Sequence, residues 1–98
     1  MFDSKGLLWI QTDGDDSNEE EFAGQGNNQM LVGDPATGEI ARFLTGPNGA
    51  EVTGMAFSAD RRTIFAGIQH PGGSWPDGQG LPRSAIVAIR RDDNAVIA

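Results

Sequence analysis

Six short runs of strand-forming residues, none longer than seven, limit most what this chain can fold into. They lie at residues 7–12, 29–33, 39–44, 52–58, 63–69 and 85–90. Runs of this length, rich in β-branched side chains and bounded by turn residues, read as strands. None carries helical periodicity. Ser84-Ala85-Ile86-Val87-Ala88-Ile89 is the most apolar stretch, and its length and β-branching favour strand over helix. The expected fold class is therefore all-β, made of antiparallel sheets.

The separators carry turn chemistry. In Asp34-Pro35-Ala36-Thr37-Gly38 the proline presets φ for a type I turn and the glycine supplies a left-handed residue that closes a bulged hairpin. Ser58-Ala59-Asp60-Arg61-Arg62-Thr63 reads as a second tight hairpin. Glycine is the usual residue at position 61, so Arg61 predicts a turn that is strained or slightly longer. The 14 glycines and 5 prolines among 98 residues fit a fold with many turns. Two connections are long: an acidic, polar one from Asp13 to Asn28 and a Gly/Pro-rich one from His70 to Arg83. Loops of that length in a small domain are usually functional or disordered.

A faint internal repeat orders these strands. Phe2-Asp3-Ser4-Lys5-Gly6 before Leu7-Leu8-Trp9-Ile10 resembles Phe57-Ser58-Ala59-Asp60-Arg61 before Thr63-Ile64-Phe65-Ala66. The second copy carries one extra residue. A period near 50 with several strands per repeat is a propeller-blade signature. With the strands of a blade labelled A to D from the axis outward, residues 2–46 supply B, C and D of one blade. Residues 51–91 supply A, B and C of the next. The expectation is a single β domain over residues 1–98, a partial β-propeller of about one and a half blades. Strand A before Phe2 is missing, and strand D is missing unless Ala95-Val96-Ile97 begins it. Such a piece leaves strand edges open, which invites an edge-strand homodimer.

Charge excludes several partners. Seven Lys and Arg stand against fourteen Asp and Glu, a net charge of −7. Phosphate-backbone binding needs clustered cations, so no nucleic-acid partner is expected. Anionic membrane surfaces are disfavoured likewise, and no apolar run approaches the ~20 residues of a membrane span. The absence of cysteine excludes disulfides, zinc–thiolate sites and cysteine catalysis. Met1-Phe2-Asp3-Ser4-Lys5 shows no basic region followed by an apolar one, so no export signal is visible in this chain.

Three stretches together resemble the PhoX family of secreted bacterial alkaline phosphatases. They are Leu8-Trp9-Ile10-Gln11-Thr12-Asp13-Gly14; Gly26-Asn27-Asn28-Gln29-Met30-Leu31 running on through Asp34-Pro35-Ala36-Thr37-Gly38 to Arg42-Phe43-Leu44-Thr45-Gly46-Pro47; and Glu51-Val52-Thr53-Gly54-Met55-Ala56-Phe57-Ser58 with Ile68-Gln69-His70-Pro71-Gly72, Ser74-Trp75-Pro76-Asp77-Gly78 and Pro82-Arg83-Ser84. The glutamate-led strand together with the Gln-His-Pro-Gly loop is the most specific combination. The likeness covers nearly the whole chain and corresponds to the C-terminal part of that family. It implies a calcium-dependent phosphomonoesterase that also uses iron, with its site at a propeller axis. It further implies a phosphate monoester substrate and a parent exported by the twin-arginine route to the periplasm or beyond. The 98-residue segment would be inactive in isolation. The alternative is a stand-alone, non-catalytic β-sheet module that binds a partner or calcium.

Antiparallel A and B strands place the start of A and the end of B at one rim. Glu51, Asp13 and His70 should therefore share that rim. Calcium takes several oxygen ligands, and a carboxylate is the strongest single one. The resemblance makes Glu51 the first candidate metal ligand and Asp13 the second. Glu51 could otherwise be a strand-end residue in solvent or a partner of Arg62 or Arg83. Asp13 could simply be a turn residue, because Asp-Gly is a turn dipeptide. His70, the sole histidine, could bind iron, contact phosphate, or hold the Pro71 loop through a structural hydrogen bond. Arg83 could grip a phosphoryl group through paired hydrogen bonds. No catalytic nucleophile stands out. The run from Asp13 to Gly24 is not an EF-hand, because Asn18 and Gly24 occupy the positions needing Gly and Glu. Gly24-Gln25-Gly26 lacks the Gly-Lys-Ser/Thr of a phosphate loop. Trp9 reads as core, and Trp75 as either exposed or an anchor for its loop.

Overall fold

The computed structural model describes residues 1–12 and 27–98. It contains six strands in chain order: β1 (Leu8–Gln11), β2 (Gln29–Gly33), β3 (Ile40–Thr45), β4 (Glu51–Phe57), β5 (Thr63–Gln69) and β6 (Ala85–Arg90). They form two antiparallel three-stranded meanders, β1-β2-β3 and β4-β5-β6. The all-β expectation holds, and residues 85–90 are a strand. Three of the six strands differ from the expected runs by one residue at each end. The shift that matters is at β4, where Glu51 is the first strand residue and not the residue before the strand.

The two repeats match bond for bond. Phe2 bridges Leu8, and Phe57 pairs with Ile64. Asp3 N–H donates to Leu7 O at 2.9 Å, and Ser58 N–H donates to Thr63 O at 2.9 Å. Gly6 N–H donates to Asp3 O, and Arg61 N–H donates to Ser58 O. Gly6 sits at φ 83° and Arg61 at φ 60°, so both turns need a left-handed residue at the same place. Arginine there is strained. Its guanidinium lies 4.7 Å from the centre of the Phe57 ring, which offsets part of that cost. The extra residue, Arg62, follows it.

The sheets meet face to face. Sheet β1-β2-β3 contributes Trp9, Met30, Val32 and Leu44; sheet β4-β5-β6 contributes Val52, Ile64, Ala66, Ile68, Val87 and Ile89. The period-2 alternation of β5 shows the choice of face: Ile64, Ala66 and Ile68 are buried, while Phe65 and Gln69 are exposed. Trp9 stacks edge-on against Phe43 at 4.8 Å between ring centres. Trp75 is half-buried against this core, in the opening between β3 and the Val87–Ile89 side of β6. It is the anchor of its loop.

Two local devices shape the second sheet. The register slips between Thr53 and Met55, leaving Gly54 at φ 57° as a bulge. Gly67 faces that bulge so closely that a Cβ there would lie 2.8 Å from Thr53 O and Oγ1. The C-terminal residues do not begin a fourth strand. Ile97 N–H donates to Arg61 O at 2.8 Å, the Arg62 guanidinium donates to Asn94 O, and Ala98 is fully buried. The segment tucks under the β4–β5 turn because the strained Arg61 carbonyl accepts its amides.

Candidate site at the Glu51 rim

Glu51 opens β4 directly opposite Gln69, the last residue of β5. His70 follows Gln69, so Glu51 and His70 stand at one rim, as antiparallel pairing requires. Asp13 lies outside the described residues. Thr12 shows where β1 ends: its Oγ1 donates to Asn28 Oδ1 at 3.1 Å, and Asn28 Nδ2 donates to Ala50 O at 2.9 Å. The end of β1 is thereby tied to the residue before Glu51.

That tie belongs to a polar clasp that the sequence did not announce. Asn28 is 7% exposed and joins the two sheets. Its backbone oxygen accepts Gly46 N–H at 2.7 Å. Asn27 Nδ2 donates to Gly46 O at 3.1 Å and to Asn48 Oδ1 at 2.8 Å. Asn48 O in turn accepts Gly72 N–H at 2.7 Å, drawing in the loop after His70. A buried amide must find partners for its donors and acceptors, and here each bond fixes a strand end. The signal available in the sequence was the Asn27-Asn28 pair directly before a strand.

His70 has φ 53°, and its backbone N–H donates to Ser84 Oγ at 3.0 Å. That bond closes the 70–83 loop from the His70 main chain to the Ser84 hydroxyl, and His70 itself is exposed. Arg83 pairs with Asp77, and its N–H donates to Trp75 O at 2.9 Å. The Arg83 side chain is 64% exposed. Arg62 pairs with Asp60 at 3.9 Å. Neither of the arginines considered as Glu51 partners is paired with it among the described residues. Arg90 reaches back to Thr63 Oγ1 at 3.0 Å, and Arg91 pairs with Asp93.

Among the described residues no group of three His, Asp or Glu side chains converges to hold a metal ion. What the rim offers is one half-buried carboxylate, that of Glu51, at a strand end held by buried hydrogen bonds. An oxygen donor suits a hard cation that takes six to eight oxygens, as one ligand among several.

The relatives agree with this architecture. A family model described as "Alkaline phosphatase PhoX" matches residues 1–72. Pseudomonas fluorescens PhoX, solved in complex with vanadate, a transition-state analogue, is 55% identical over 99% of this chain and superposes with a TM-score of 0.92. This chain spans 18% of that protein's length. No match was found among curated proteins. On the family match and on this identity in sequence and fold, the chain belongs to the PhoX family of alkaline phosphatases.

Proposed function

We infer that this chain is a segment of a phosphomonoesterase and that it brings Glu51 to a metal-dependent phosphatase site. The carrying observation is the position of Glu51: first in its strand, opposite Gln69, and braced through Ala50 by buried Asn28. The solved relative, with its bound transition-state analogue, supports a phosphate monoester as substrate. In this reading residues 2–46 and 51–91 are parts of two adjacent blades of a propeller, and the Glu51 rim faces its axis. The parent is periplasmic or secreted.

Glu51 and Asp13 would hold calcium, with iron as a second metal of the site. Bound metal would polarise phosphoryl oxygens and lower the pKa of a bound water. The chain's own residues do the positioning. The Asn28 clasp fixes the Glu51 backbone, and the Ser84 bond sets the direction of the His70 loop. Arg83 and His70 are the proposed phosphate contacts. For Arg83 this requires release from Asp77, a surface pair of small energetic weight.

A chimera tests the reading. The corresponding segment of the Pseudomonas fluorescens protein is replaced by this chain, and turnover of a chromogenic phosphate monoester is followed. The chimera should be active, and Glu51→Gln should lower kcat/KM by ~100-fold or more. An active chimera indifferent to Glu51→Gln would overturn the assignment. The 98-residue chain by itself should give no turnover with calcium and iron added, and turnover at the chimera's rate would contradict that.

A further inference from the structure

The backbone of His70 is held where its residue type is disfavoured. Three described residues other than glycine have a left-handed φ: Arg61, His70 and Asn94. Arg61 fills a turn position that Gly6 holds in the first repeat, and asparagine tolerates this region. His70, at φ 53°, has neither reason. It also precedes Pro71, and a residue before proline favours an extended backbone. His70 follows Phe65 by five residues, and the residue five after Trp9 in the first copy of the repeat is Gly14. Histidine in a left-handed conformation costs stability that glycine would not, and such strain concentrates where a side chain binds or reacts.

The strain persists because the chain is clamped on both sides of His70. Its N–H donates to Ser84 Oγ at 3.0 Å. Pro71, the next residue, is buried. Gly72 N–H donates to Asn48 O at 2.7 Å. The two segments touch so closely that a Cβ on Gly72 would lie 3.1 Å from Asn48 O, and one on Gly49 would lie 3.3 Å from Gly72 N. Asn48 and Gly49 form the turn that leads into Glu51, and Glu51 pairs with Gln69. The main chain at His70 is thus fixed relative to the Glu51 strand end. Ser84 is exposed, so its hydroxyl can be removed without opening the core.

We propose that Ser84 is a positioning residue for substrate binding: its hydroxyl holds His70 in the left-handed conformation from which the imidazole donates a hydrogen bond to a phosphoryl oxygen. An imidazole offers an N–H donor in its neutral and its protonated form, so the contact needs no particular charge state. Without the Ser84 acceptor, the His70 backbone relaxes toward the extended region that Pro71 favours, and the imidazole moves with it. This role rests on the phosphatase reading and on His70 as a phosphate contact. It adds which residue keeps that contact in place.

Calorimetric titration of inorganic phosphate into the calcium-loaded chimera tests it, and needs no turnover. His70→Ala and Ser84→Ala should each weaken phosphate binding by about tenfold or more, the loss of one charge-assisted hydrogen bond. The double variant should bind no more weakly than His70→Ala, because the hydroxyl acts through the imidazole. Ser84→Thr keeps the acceptor and should keep the binding. Calcium affinity should hold in all four, since Glu51 is untouched. His70→Gly should melt above His70→Ala, because glycine takes the left-handed φ without strain. Wild-type phosphate affinity in His70→Ala, with calcium still bound, would overturn the His70 contact and this role with it, and leave the Glu51 assignment standing. A loss in His70→Ala but none in Ser84→Ala, or losses that multiply in the double variant, would overturn the role of Ser84 alone.

Discussion

Asp3 holds the first hairpin together, and its removal should cost more than any other single change near the chain start. The residue is 9% exposed. Its Oδ1 accepts the backbone N–H of Lys5 at 2.8 Å and of Leu7 at 3.0 Å. Its Oδ2 accepts the buried Trp9 indole N–H at 2.9 Å. Asp3→Ala orphans the indole donor inside the core, at about 1–3 kcal/mol, and frees two half-buried amides that water can reach. The total loss should be about 2–4 kcal/mol. That is a large part of the ~5–15 kcal/mol a domain has. For a chain of this length it corresponds to a Tm drop of roughly 10–30 °C. Urea unfolding followed by tryptophan fluorescence measures it. The effect should also titrate. Burial opposes ionisation of Asp3, but the Trp9 indole and the Leu7 and Lys5 amides outweigh it and hold the pKa below 3.8. A lowered folded pKa means the carboxylate's contribution is complete above 3.8 and is lost as pH falls through the folded value. The stability gap between wild type and Asp3→Asn should therefore close below that pH. A loss under about 0.5 kcal/mol in Asp3→Ala, or a gap that ignores pH, would refute the reasoning.

Other positions yield separate expectations. Gly67→Ala should destabilise by about 1–3 kcal/mol, because its Cβ would strike Thr53 O and Oγ1 at the β4 bulge; a neutral change in thermal melting would contradict that contact. Asn28→Ala should cost a similar ~1–3 kcal/mol by leaving the buried Ala50 carbonyl without its donor, and amide exchange should accelerate first at Ala50, Gly46 and Gly72. Met30→Ala should cost about 2–5 kcal/mol, whereas Ile86→Ala, at the equivalent but exposed position, should change the stability of dilute monomer by less than about 0.5 kcal/mol. Comparable losses at the two positions in urea unfolding would contradict the assignment of inner and outer faces.

The strands were legible because each is short, β-branched and flanked by residues that fix a turn. The repeat was legible in Phe2, Trp9, Phe57 and Phe65, and even the misfit at Arg61 was visible, since its left-handed φ asks for glycine. What escaped was whatever depends on partners distant in sequence. Asn28 reaches Thr12 and Ala50, and nothing in its local pattern shows that it will be buried. The fate of residues 94–98 turns on the Arg61 carbonyl and the Arg62 guanidinium, which run length cannot reveal. At the rim, antiparallel pairing sufficed to bring Glu51 and His70 together. The Arg83–Asp77 pair and the His70 N–H bond to the Ser84 hydroxyl were hidden, because both depend on how the 70–83 loop folds back on itself.

The central claim is that Glu51 is a metal ligand of a phosphatase site. Elemental analysis of the purified chimera, with and without Glu51→Gln, tests it most directly. The account predicts that the variant folds with the wild-type circular dichroism, loses bound calcium, and loses turnover in step. A variant that keeps its full metal content and its activity would contradict it.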